Sequence, residues 1–326
     1  MKALIFDEPN KPVVTDIQSP SIDDDEVLIR SRRVGICHSD YELLAGQYII
    51  PISYPVTPGH EWVGEVLEVG KNVSGLLPGD RVVGECVINT PERIHHFGFS
   101  MDGANRELFG ARPEWLHKLP DGLDDAKGAL IEPFTCGYYA VMRHGGVNAA
   151  DTVVVSGGGT IGLVTAAAAM GMGARTIVVD PVPLRREIAS QLGADATVDP
   201  TDGDAVEAVR EITKGGGDLV GECAGHDASL ANIFEYARDE GCVSMVGINI
   251  GKKIPVDLGK IQIKNLSVKG CIGSPGIWPA AIRFLERTGI DLSPIQTHHF
   301  NLDDALEAFD VGKQPERAVK VTLNIG

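Results

Sequence analysis

The sequence is short of basic residues. Lys and Arg total 29 against 45 Asp and Glu in 326 residues, a formal charge of −16. A nucleic-acid partner would want a basic footprint, and this chain has none overall. Aromatics are also sparse at 6%, but with 43% hydrophobic and 23% charged residues the composition is that of a globular protein, which excludes wholesale disorder. No apolar run reaches the roughly 18 residues needed to span a bilayer. The first residues, Met1-Lys2-Ala3-Leu4-Ile5-Phe6-Asp7-Glu8, carry one positive side chain followed by acids, so no secretory leader is expected. The six cysteines (Cys37, Cys86, Cys136, Cys223, Cys242, Cys271) are scattered, with no short-spaced disulfide framework. A reducing, cytoplasmic setting is the expectation.

Glycine is plentiful, at 39 residues, which points to many tight turns or close backbone approaches. The length suggests two domains. Up to about residue 150 the chain reads as short strands, Lys2–Phe6, Glu26–Val34 and His60–Val69, punctuated by turns such as Pro78-Gly79-Asp80. That pattern predicts a β-rich barrel. The register then changes. Val153–Val155, Thr176–Val179, Thr197-Val198, Asp218–Glu222 and Cys242–Val246 read as strands. Helical stretches, including Ile161–Met170 and Pro183–Leu192, lie between them. Alternating strand and helix predicts a parallel, doubly wound sheet. Trp278–Glu286 and Leu302–Phe309 read as helices, and Val319, Val321, Leu323 and Ile325 alternate as a closing strand.

Gly157-Gly158-Gly159-Thr160-Ile161-Gly162 fits G-x-G-x-x-G, directly after a strand and opening an Ala-rich helix, with Asp180 at the end of the next strand. Gly157 serves the tight turn, Gly159 the approach of backbone to pyrophosphate, and Gly162 the packing of helix on strand. Asp180 would accept hydrogen bonds from the adenosine ribose and repel a 2′-phosphate, which favours NAD; the neighbouring Arg185 and Arg186 keep NADP as the lesser choice. Cys223, Val246 and Gly247, at the ends of later strands, complete the candidate cofactor residues with Thr160 and Ile161.

Three stretches carry candidate metal ligands: Gly35-Ile36-Cys37-His38-Ser39-Asp40, Pro58-Gly59-His60-Glu61, and Glu132-Pro133. Thiolate, imidazole and carboxylate are ligand types that zinc prefers. Taken singly, each residue is more often a buried core group.

These motifs, with Gly79-Asp80-Arg81-Val82 and the glycine loop, occur in an order that resembles the zinc-dependent medium-chain dehydrogenase/reductase family, almost end to end. The Glu132-Pro133 pair resembles its sorbitol and threonine dehydrogenase branches. The resemblance implies a GroES-like β-rich catalytic domain over 1–142, a Rossmann domain over 143–274, and a catalytic-domain return over 275–326, with a cleft between them. It implies one catalytic zinc on Cys37, His60 and Glu132. Glu61 would be able to exchange onto the metal, Asp40 would orient His60, and Ser39 would relay the substrate proton. Ser39 also suits a helix cap. The implied reaction is hydride transfer from an alcohol carbon to NAD, giving a ketone, in a homodimer or homotetramer.

Three departures shape the expectation. The stretch from Gly84 to Glu107 holds only Cys86, where relatives often carry four cysteines, so no structural zinc is predicted. Trp278-Pro279 is present, but the Arg-Tyr pair that precedes it in sorbitol-type enzymes is replaced by Gly273-Ser274, which argues against sorbitol. Glu42 stands where some relatives have a relay histidine. Tyr48, His95 and Trp278 are the candidate substrate residues, with Phe97 and Phe99 nearby, and a polyol, cyclitol, aminocyclitol or sugar alcohol is the expected substrate class. The competing readings are a zinc-free NADPH-dependent quinone or alkene reductase and a non-enzymatic nucleotide-binding protein.

Overall fold

The computed structural model describes residues 1–47, 52–90, 93–247 and 253–326. The chain divides into two compact units, one of Met1–Glu132, Trp278–Arg287 and Gln296–Gly326, the other of Pro133–Ile277 and Thr288–Ile295.

The first unit is built on a seven-stranded sheet. Its pairing path runs Gln296–Asn301, Lys320–Asn324, Val27–Ile36, Glu61–Val69, Arg81–Gly84, Leu116–Lys118, with Leu108–Ala111 also paired to Val27–Ile36. All pairs are antiparallel except the one between Gln296–Asn301 and Lys320–Asn324. Register shifts at Leu28/Ile29 and Ser31/Arg33 bend the central strand. Among the described residues the two end strands do not pair, so the sheet is bent but open where the sequence suggested a barrel. One of the two end strands, Leu116–Lys118, spans only three residues. Leu4, Phe6, Ile29, Trp62, Phe109, Val321 and Leu323 fill the core against it.

The second unit is a six-stranded parallel sheet in the order Ala196–Val198, Arg175–Val179, Thr152–Ser156, Gly217–Glu222, Ala237–Met245, Ser267–Gly270. Strand order reverses between Thr152–Ser156 and Gly217–Glu222, which is where doubly wound sheets take their ligands. Val153, Val154 and Val155 are fully buried, and so are Leu163, Val164 and Ala166 to Ala169 of the helix Thr160–Gly171. The small alanines let that helix lie close to the sheet, which explains its apolar circumference. Near the end of this unit Gly259–Ile263 is a short helix, and Ser267–Gly270 pairs as the edge strand. Leu302–Phe309 likewise divides into a 3₁₀ turn, Leu302–Asp304, and a helix, Ala305–Gly312. Among the described residues no helix is long and apolar enough to cross a membrane.

Candidate functional site

In the first unit, stretches far apart in sequence place their polar side chains together. The strand Val27–Ile36 runs into Cys37, whose extended backbone (φ −98°, ψ 160°) caps the helix His38–Ala45. Asp40, in the first turn, returns the cap by accepting from the Cys37 backbone N–H at 2.8 Å. Cys37 therefore takes the capping position that the sequence offered to Ser39, because only a residue with non-helical dihedrals can occupy it. Ser39 lies half-buried inside the first turn.

His60 leaves the Pro58-Gly59 turn and opens onto the strand Glu61–Val69. Gly59 has a φ of +101°. A side chain at Gly103 would come within 2.5 Å of the Gly59 carbonyl, and one at Gly98 within 3.1 Å of the Gly59 backbone. Three residues without side chains thus clamp the turn that carries His60. The imidazole is 4% exposed, and its ring centre lies 4.7 Å from that of Phe99. Its Nδ1 is 3.6 Å from Asp40 Oδ1, beyond hydrogen-bond reach, and neither atom has a hydrogen-bond partner among the described residues. Burial opposes a charge on His60, yet the Asp40 carboxylate outweighs it and, with Cys37, lifts the imidazole well above its ordinary range.

The ligand atoms of Cys37, His60 and Glu61 all lie within 4.8 Å of one another. Glu132, in the first turn of the helix Ile131–Tyr139, adjoins this trio. Burial pushes its carboxyl up to about 7, with the His60 charge pulling the other way and Glu61 and Asp40 adding to the rise. The trio therefore contains Glu61, where the resemblance put Glu132 with Cys37 and His60. Glu61 Oε2 also accepts from Lys320 Nζ at 2.5 Å, and Lys320 donates to the Ile36 carbonyl at 3.0 Å. Burial works against the ammonium, but Glu61 and Cys37 hold its pKa above the usual lysine value. A side chain at Gly35, which pairs with Glu61 in the sheet, would run into the Glu61 carboxylate.

The residues fit a zinc ion. The donor set is thiolate, imidazole and carboxylate. The two orphaned atoms, His60 Nδ1 and Asp40 Oδ1, are the pair that a metal-ligating histidine uses behind its other ring nitrogen, donating to a carboxylate that fixes its tautomer.

Sequence reasoning missed Lys320 and Cys86. Burial pushes the Cys86 thiol up to about 12, a neutral group that feels the charges of His60 and Glu132. The only signal for Lys320 was a cation inside the apolar closing strand. Of the candidate substrate residues, Tyr48 lies outside the described residues. Trp278 is 3% exposed and stacks on His117 at 5.4 Å, and His117 bonds Glu85 at 2.9 Å, so its ring is core. His95 pairs with Ile88, which is buried, and takes Arg93 Nε at 3.2 Å; its Nδ1 is buried with no hydrogen-bond partner among the described residues. Phe97 and Phe99 are both buried.

In the second unit, Gly157 (φ +103°) turns the chain from the strand Thr152–Ser156 into the helix Thr160–Gly171, whose N-terminal residue Gly159 makes no side-chain cap. A side chain at Gly162 would strike the Gly157 carbonyl, whereas one at Gly159 would meet nothing within 4 Å. Open space beside a helix N-terminus fits a pyrophosphate. Asp180 is 2% exposed. It accepts from Gly158 N at 2.6 Å, Val182 N at 2.8 Å and Arg185 Nη1 at 3.4 Å, so it braces the glycine loop as well as ending its strand. Thr160 and Ile161 open the helix. Cys223 N donates to Ser156 O at 2.8 Å, and Val246 N and Gly247 N donate to Glu222 O at 2.8 and 2.7 Å, so all three join the same rim of strand ends.

Residues 23–121 match the model of the alcohol dehydrogenase GroES-like domain, and residues 160–287 that of the zinc-binding dehydrogenase. A sorbitol dehydrogenase of Halalkalibacterium halodurans is 32% identical, covering 91% of each chain. The crystal structure of 2R,3R-butanediol dehydrogenase from Bacillus subtilis superposes with a TM-score of 0.92 at 30% identity, covering 99% of each chain. A protein of Sinorhizobium meliloti 1021, assigned as a zinc-binding dehydrogenase and bound to NADP, superposes with a TM-score of 0.92 at 30% identity, covering 99% of this chain and 98% of its own. The buried ligand cluster, the glycine loop and these likenesses agree: the chain belongs to the zinc-type medium-chain alcohol dehydrogenase family and is an alcohol dehydrogenase.

Proposed function

We propose that this enzyme oxidises a secondary hydroxyl of a polyol, cyclitol, aminocyclitol or sugar alcohol to a ketone, with NAD as hydride acceptor. The observation that carries the reading is the buried approach of Cys37, His60 and Glu61 with Asp40 behind the imidazole and Glu132 beside the cluster. A zinc-free reductase of the same superfamily has no use for such a set.

Cys37, His60 and Glu132 would hold one zinc ion, with Glu61 kept within reach by Lys320. When bound, zinc supplies Lewis acidity toward the substrate oxygen. Asp40, facing His60 Nδ1 at 3.6 Å, would orient the imidazole chiefly through its charge, while Ser39 Oγ would take the hydroxyl proton and pass it outward. The place of the Arg-Tyr pair of sorbitol-type enzymes is filled by Gly273 and Ser274, and Ser274 is buried in a 2.6 Å hydroxyl pair with Thr135. That supports a substrate other than sorbitol, and His95 remains the polar candidate for its recognition. Asp180 at the end of its strand supports NAD over NADP, since a 2′-phosphate would meet a carboxylate.

Self-association as a homodimer or homotetramer is supported by the edge strand Ser267–Gly270, whose residues are exposed, with Ile263 and Ile272 exposed beside it. Six free cysteines support a cytoplasmic location. The test is a panel of polyols, cyclitols, aminocyclitols and simple alcohols assayed for NADH formation, with zinc content measured on the same sample. Turnover confined to simple primary alcohols would reject the substrate class, and turnover in metal-free protein would reject the zinc role.

A further inference from the structure

Among the described residues, one fully buried acid has no part in that mechanism. Glu222 ends the strand Gly217–Glu222 and is 0% exposed. Its Oε1 accepts from Ser229 Oγ at 2.7 Å, Gly225 N at 3.0 Å and Ala224 N at 3.2 Å, and its Oε2 accepts from Gly225 N at 3.2 Å. Among the described residues no lysine, arginine or histidine forms an ion pair with it. Burying a carboxylate costs free energy that a counter-cation normally offsets, and here only neutral donors answer it. Every partner is a donor, which is the pattern of an ionised, acceptor-only carboxylate. Burial raises its pKa, and the bonds from Ser229, Gly225 and Ala224 hold that rise back. Cys223, next in sequence, contributes no charge, because burial pushes its thiol up.

The position of Glu222 gives this charge a target. Asp180 marks the adenosine side of the sheet, and the open helix N-terminus at Gly159 marks the pyrophosphate. The second mononucleotide must then lie on the far side of the switch point, across the ends of Gly217–Glu222 and Ala237–Met245. Glu222 sits at that rim. A side chain at Gly247 would come within 2.5 Å of Glu222 Oε2, and one at Gly157 within 2.8 Å of Ala224 N. Ser229, bonded to Glu222, also pairs with Ser156 at 2.8 Å. One carboxylate therefore underlies the segments that follow three neighbouring strands.

We propose that Glu222 acts on the nicotinamide half of the cofactor as a fixed negative charge, favouring the cationic oxidised ring over the neutral reduced one. The proposal rests on the reading of this unit as a nicotinamide-dinucleotide site. A simple latch for residues 223–229 would affect both redox forms alike, whereas a charge separates them. Across a protein interior a buried unit charge at the rim of such a site shifts that ratio by about threefold to tenfold after screening.

The test is direct binding: dissociation constants for NAD and for NADH, by titration calorimetry and nucleotide fluorescence, without turnover. Glu222→Gln removes the charge and keeps the shape, so it should weaken NAD relative to NADH by about threefold to tenfold. Ser229→Ala removes one donor and keeps the charge, so it should move both constants together. Glu222→Asp must retain the wild-type ratio even where both affinities fall; a changed ratio in that variant overturns the proposal should the Gln variant not fold. Equal effects of Glu222→Gln on both forms would reduce Glu222 to a latch. Wild-type protein that bound neither nucleotide would overturn the dinucleotide reading itself, which is a distinguishable failure.

Discussion

Lys320 Nζ lies 2.5 Å from Glu61 Oε2 with both side chains almost wholly buried, at 2% and 1% exposure. A buried ion pair adds little net stability over a well-packed apolar pair, but removing one partner strands the other charge. Lys320→Met should therefore destabilise the protein by about 3–5 kcal/mol. The double variant with Glu61→Gln should recover much of that loss. Urea unfolding of both proteins checks this, and additive losses in the double variant would show that the pair is not coupled.

Cys37→Ala and Glu132→Ala should each lose metal and activity together, with turnover falling by at least ~10²-fold, since Lewis-acid stabilisation is worth several kcal/mol. Metal analysis beside a rate assay decides the matter. Asp40→Asn should weaken metal binding by about 10- to 100-fold, because Asp40 both caps the Cys37 helix and faces His60.

Asp180→Gly should weaken NAD and narrow the preference against NADP, measured as the ratio of kcat/KM for the two cofactors. The same change removes the carboxylate that receives Gly158 N and Val182 N. An unaltered cofactor ratio would sink the assignment of Asp180 to ribose recognition.

Two glycines of one loop should behave differently. At Gly162 a methyl meets the Gly157 carbonyl, so Gly162→Ala should cost about 1–3 kcal/mol of stability. At Gly159 a methyl meets nothing within 4 Å and φ is −68°, so Gly159→Ala should leave the melting temperature nearly unchanged while weakening NAD. Thermal melts with and without NAD separate the two effects.

Strand, glycine turn, helix and terminal acid were legible because each leaves its own local pattern. The metal residues were legible only as separate stretches, and resemblance joined them. Lys320 was not legible. Alternation of Val319, Val321, Leu323 and Ile325 sends Lys320 to a solvent face, but its strand lies inside the sheet with both faces covered, so Lys320 and Thr322 are buried too. The burial of Trp278 was not legible for a related reason: a Trp beside Pro says nothing of the His117 ring stacked on it.

The bare turn at Gly59, Gly98 and Gly103 limits how this centre can vary. Bulk added at any of the three would shift the imidazole before it touched a substrate. Divergence toward new alcohols is thus excluded from the metal's own cradle and falls to side chains around it, such as those of Cys86 and Phe99.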